Sequence, residues 1–312
     1  MHKISVAFDF TNDKNLAEDE YNIWTTLLCL FLIGLLLVFP EVAHEGADLG
    51  VALFMDALFP YLLPYLILTN WFIRLTASPS DNGSFFLFLK TYGISAIGGF
   101  PTGAATIAHL YKRESLTSKQ AAYLLGICHC PSPLFLFGFV GHDLMNSTTF
   151  SWQYLILLHT FSLLLLVIFY LYLPKSTAST KPVTLDREPF TNSIRDSIPT
   201  ILIVAATIIF FTTLYSVFLH STETIFTSLP QYFHLAIAGI LEMTNGLFLV
   251  HSNLFGNTLI LTTVVLLTTQ SLSIHLQVIV IARTANIAIR PYIWIRVFYS
   301  LMIPGLYYVL FL

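Results

Sequence analysis

Residues 90–113 read KTYGISAIGGFPTGAATIAHLYKR, an apolar stretch closed by Lys90 at one end and by Lys112 and Arg113 at the other. Short loops rich in Lys and Arg stay on the cytoplasmic side of a membrane. A single crossing would put the two charged ends on opposite sides. The middle of the stretch, Gly98-Gly99-Phe100-Pro101-Thr102-Gly103, weakens a helix through its glycines and removes a backbone donor at its proline. The stretch therefore predicts a re-entrant helical hairpin over 85–111 with its tip near Pro101. Arms of about 10 residues would each rise about 15 Å, half of a bilayer core about 30 Å thick.

The same accounting extends outward. The chain holds 14 Lys and Arg residues, and all can be placed on one face: Lys3 and Lys14; Arg74 and Lys90; Lys112, Arg113 and Lys119; Lys175, Lys181, Arg187 and Arg195; Arg283, Arg290 and Arg296. Nine hydrophobic segments lie among them, near 23–40, 51–73, 85–111, 120–141, 152–173, 198–219, 232–251, 258–282 and 291–312. With 56% hydrophobic and 10% charged residues, the composition is that of a polytopic membrane protein. Segments 23–40 and 51–73 pair as crossings through an outside connection bearing Glu41, Glu45 and Asp48. Segments 120–141 and 152–173 pair through an outside loop at 142–150.

The interval 196–282 holds three segments, so one must turn back. The candidate is 232–251, interrupted at Glu242-Met243-Thr244-Asn245-Gly246. The last segment leaves the C-terminus outside. The order crossing, re-entrant hairpin, broken crossing then occurs twice in opposite directions, as in many secondary transporters. The predicted fold is an all-α polytopic membrane protein, an inverted-repeat transporter-like bundle with about seven spanning helices and two re-entrant hairpins. Its expected divisions are a cytoplasmic segment 1–22, an anchor helix and outside loop 23–48, a first gate-like repeat with its connecting helix 49–173, and a cytoplasmic linker 174–195. A second repeat at 196–283 and a C-terminal helix at 284–312 follow. Residues 1–20 are acidic and lack the apolar core of a signal peptide.

Several function classes fall away. The net charge is −3 and no basic face with interleaved aromatics is present, so no nucleic-acid partner is expected. No nucleophile elbow, zinc-protease motif or phosphate loop occurs, so the chain is expected not to be an enzyme and to need no cofactor. Transport energy would then come from the cargo's own gradient or from a coupling ion such as sodium or a proton. Cys128-His129-Cys130 has poor spacing for one metal ion, because residues two apart on a helix point away from each other.

Four breaks remain: the two hairpin tips, 129–133 and 270–275. Non-helical backbone at membrane depth is tolerated where it is buried in protein or lines a cavity. Freed N–H groups at a half-helix start suit an anion or polar solute, and freed carbonyls suit a cation. The candidate substrate contacts are Gly99, Pro101, Thr102, Gly103, His129, Ser132, Glu242, Thr244, Asn245, Ser273 and His275. For the small residues, close helix packing is the competing explanation. Glu242 could bind substrate, take a coupling proton, ligate a cation, or act as a structural carboxyl on freed backbone N–H groups.

The ordered set Gly99-Phe100-Pro101-Thr102-Gly103-Ala104, Leu134-Phe135 after a Ser-Pro break, Leu241-Glu242-Met243-Thr244 and Ser271-Leu272-Ser273-Ile274-His275-Leu276-Gln277 resembles the YlbJ-like (SpoVV-like) sporulation membrane proteins. These belong to the nucleoside-recognition, or gate, domain group. The resemblance covers about residues 50–300. It implies movement of dipicolinic acid into the developing spore, with the outer forespore membrane as a location and the N-terminus cytoplasmic. The wider group implies paired hairpins around a midplane site, with a nucleoside or other small solute as cargo. The lipid bilayer and a small-molecule substrate are the expected partners; a homo-oligomer is left open by the sequence. A non-transporting membrane scaffold of spore assembly is the competing class.

Overall fold

The computed structural model describes residues 23–76, 83–173, 187–225 and 230–312. Residues 1–22 and most of the expected linker lie outside the described residues, with Lys3, Lys14, Lys175 and Lys181 among them. All described regular structure is helical. The elements are α1 (Ile23–Val38), α2 (Pro40–Ala52), α3 (Phe59–Leu75), α4 (Phe85–Gly98), α5 (Thr102–Lys112), α6 (Ser118–Ile127), α7 (Thr148–Tyr172) and α8 (Pro189–Ile225). They continue with α9 (Gln231–Leu241), α10 (Met243–Asn253), α11 (Gly256–Thr269), α12 (Leu272–Thr284) and α13 (Arg290–Phe311). Two wider π-helical segments, Leu53–Leu58 and Phe135–Leu144, precede α3 and α7.

Four helical spans are long and apolar enough to cross a bilayer: Thr148–Tyr172, Pro189–Ile225, Gly256–Thr284 and Arg290–Phe311. The pair Ile23–Val38 and Pro40–Asp56, bent by 100°, makes a fifth if counted as one span. This is fewer than the seven crossings expected. The shortfall has a local cause. The segment expected as one crossing at 120–141 is cut into α6 and Phe135–Leu144, and the one at 51–73 changes helix type before Pro60 and carries Pro64 inside α3.

The connection expected as an outside loop at 41–50 is instead helix α2. Its small residues explain the difference. Gly46 and Gly50 are buried against α8, so closely that a Cβ on Gly50 would lie 2.8 Å from the Ile209 Cα. A loop-like composition thus forms a helix because a neighbour accepts its glycine face. Helix α1 buries no residue.

Each of the two segments expected to turn back is a pair of short helices. Helix α4 packs on α5 and α9 on α10. Their open ends are tied together: Gly83 N donates to Ser115 O at 3.1 Å, and Gln231 Nε2 donates to Asn253 Oδ1. Gly246 lies directly against the Gly239 backbone, so α9 and α10 diverge from a narrow apex.

Contacts recur between the halves. Helix α3 meets α4 as α8 meets α9; α5 meets α6 as α10 meets α11; α5 meets α12 as α10 meets Phe135–Leu144. Helix α13 packs against both α6 and α11. One apolar core runs through α4–α7 and α10–α13, and a smaller one joins Phe54, Leu62 and Leu66 to Ile201, Val204 and Ile208 of α8.

Candidate functional site

The first hairpin and the first broken helix interlock. Helix α4 ends at Gly98 because Gly99 takes φ 71°, a conformation that a side chain resists. A cis Phe100–Pro101 peptide follows, and α5 starts at Thr102. Gly99 sits against Ser132 so closely that a Cβ would lie 2.6 Å from the Ser132 N and 2.8 Å from its Cβ. Gly103 rests on the Cys128 carbonyl and the Ser95 side chain. The Ser132 hydroxyl accepts from Phe135 N at 3.2 Å and so caps the helix that follows the break. The Thr102 hydroxyl turns back to the Gly98 carbonyl at 3.3 Å.

A pocket of about 360 Å³ opens at this junction. Gly98, Phe100, Ser132, Phe135 and Phe139 line it, and Asp56 and Asp143 stand among its lining residues with no Lys or Arg. Asp56, inside the π-helical segment Leu53–Leu58, and Asp143 are both exposed.

The second hairpin lies apart from this pocket. Glu242 is buried and is the N-cap of α10: its carboxylate accepts from Asn245 N at 2.9 Å. Of the roles open to this residue, the structural one has a visible basis here. Thr244 is buried beside it, and Asn245 Nδ2 points to Thr212 of α8 at 3.5 Å. Ser273 is fully buried and shares a hydrogen bond of 2.8 Å with Ser271. None of Glu242, Thr244, Asn245, Ser273 or His275 lines the pocket.

His129 and His275 do meet, with ring centroids 6.2 Å apart, and so join the two halves. His275 is fully partnered. Its Nε2 lies 2.8 Å from the Thr269 carbonyl, which can only accept, so Nε2 carries a proton. In the neutral ring Nδ1 then accepts from the Tyr292 hydroxyl at 2.6 Å. His129 also touches the Phe100 and Tyr292 rings, each at 5.5 Å.

Two residues of this centre are not among the sequence candidates. Gln270 ends α11 with φ 61° and ψ 179°, backbone that is almost confined to glycine and costs about 1–3 kcal/mol for other residues. Arg296, placed by sequence among the cytoplasmic charges, is only 3% exposed. Its Nη1 donates to the His129 carbonyl at 3.0 Å and its Nη2 to the Thr268 carbonyl at 2.6 Å. One guanidinium thus holds the carbonyl ends of both broken helices, where a positive charge is favoured. The one-sided placement of all 14 basic residues fails at this position, because carbonyls freed by the breaks replace water as its partners.

The apolar helices and the polar breaks buried among them define a multi-pass integral membrane protein. The chain is similar to the sporulation integral membrane protein YlbJ of Bacillus subtilis (strain 168), 25% identical over 123 residues. That alignment takes in 36% of this chain and 30% of the relative, so less than a third of the relative's length is covered. No family model matches the chain. No solved structure matches it.

Proposed function

We propose that this protein is a membrane carrier for a small uncharged or cationic solute with an apolar body, which binds in the pocket at the first hairpin. The pocket carries this reading. A volume of about 360 Å³ suits a metabolite-sized guest. Aromatic walls with two carboxylates and no basic side chain favour a cation or neutral ring over a dianion. The dicarboxylate that the family resemblance implies therefore fits this pocket less well than an amine or a nucleoside-like solute.

The arrangement in the bilayer is read as seven crossings with two re-entrant hairpins in oppositely directed repeats. The tied ends of each hairpin and the matching contacts of the halves support it. Similarity to a sporulation membrane protein supports a role in spore formation. One observation favours the scaffold reading instead: Glu242, Thr244 and Ser273 are buried and none of them lines the pocket.

Uptake by purified protein in liposomes separates the two readings. Counterflow of amines, nucleosides and dipicolinate should show movement of a cationic or neutral member, reduced several-fold by Asp56→Asn for a cation. If no solute moves, the carrier reading fails and the scaffold stands. If dipicolinate moves faster than the others, the charge argument fails.

A further inference from the structure

We propose that His129, Gln270 and Arg296 form an interior site for a small monoanion, chloride or a carboxylate, between the two broken helices. All three side chains are more than nine-tenths buried, with exposures of 3%, 5% and 3%. Each leaves polar atoms unpartnered: Nε2 of His129, both amide atoms of Gln270 and Nε of Arg296. Buried polar groups without partners are rare and costly, so a cluster of them points to a guest.

The three residues are neighbours. Arg296 donates to the His129 carbonyl, and the His129 ring lies beside the Gln270 amide without reaching hydrogen-bond geometry. The charge selects the guest. Arginine stays protonated in proteins. Among the described residues no carboxylate pairs with Arg296, whose partners are two carbonyls. Carbonyl dipoles stabilise this charge without cancelling it. A cation is repelled, a neutral guest leaves the charge standing, and a dianion overshoots it. A monoanion can accept from Arg296 Nε and the Gln270 amide, and from His129 when its Nε2 carries the proton.

The backbone at Gln270 is a second, independent indication. Glycine takes φ 61° without penalty. The backbone here does not need a side chain, so the strained glutamine supplies something else, and its buried amide, beside His129, is the group it adds. The site does not rest on the carrier reading. Phe100 separates the two: its ring lines the pocket and lies 5.5 Å from His129.

Thermal unfolding of the full chain in detergent tests the proposal, in sodium chloride, sodium acetate or sodium isethionate at equal ionic strength. Chloride or acetate should raise the midpoint saturably, by about 3 °C over the bulkier isethionate. A rise with chloride alone marks an inorganic anion; a rise with acetate alone marks a carboxylate. Arg296→Gln should abolish the rise. Gln270→Gly should unfold at an equal or higher temperature in isethionate and lose the rise, which keeps the test decisive even if Arg296→Gln does not fold. Equal wild-type midpoints in all three salts would overturn the site, as would a full rise in Gln270→Gly.

Discussion

Glu242 holds the start of α10 through Asn245 N, and glutamine can keep that bond because its amide oxygen still accepts. Glu242→Gln should therefore unfold within a few tenths of a kcal/mol of wild type, whereas Glu242→Ala should lose about 1 kcal/mol, the usual worth of an N-cap. Denaturation of both variants checks this; a large loss in Glu242→Gln would show that the negative charge itself matters. At Gly99 a Cβ meets Ser132 and the backbone has positive φ. Gly99→Ala should cost about 1–3 kcal/mol and should also reduce uptake, since Ser132 belongs to the pocket. The tip around Gly99 and Pro101 was legible in the sequence because glycine and proline act on their own backbone. Gln270 was not, because glutamine carries no signature of positive φ. Arg296 was hidden by a rule that treats every arginine as a surface charge, although it stands inside an otherwise apolar helix.

At the scale of elements, the four breaks fall where proline, glycine or a polar run interrupts an apolar segment, and so the local chemistry of the chain was enough to find them. Helix α2 was not legible, since its glycines and acids read as a loop until α8 is there to receive them. That contact makes a prediction. Gly50→Val would drive a side chain into the α8 backbone at Ile209 and should cost about 1–3 kcal/mol. Gly34→Ala, in α1 where a Cβ meets nothing within 4 Å, should be neutral or slightly stabilising. Thermal midpoints of the two variants should therefore move apart; equal midpoints would mean that α2 is only loosely held.

For the molecule as a whole, the tie between Gly83 and Ser115 brings both ends of the first hairpin to one place. Single cysteines at Lys90 and Lys112 should accordingly react with an impermeant thiol reagent from the same side of the membrane, in a background lacking Cys29, Cys128 and Cys130. Labelling from opposite sides would mean that the segment crosses. Hydropathy and length alone mark only four or five spans, and any further crossing would have to be built from the short helices. The grip of Arg296 on both broken helices has a mechanical consequence. Sliding one half past the other would have to tear a buried charged hydrogen bond, worth about 1.5–3 kcal/mol, from one of the two carbonyls. The broken helices and α13 are therefore riveted together at one buried point.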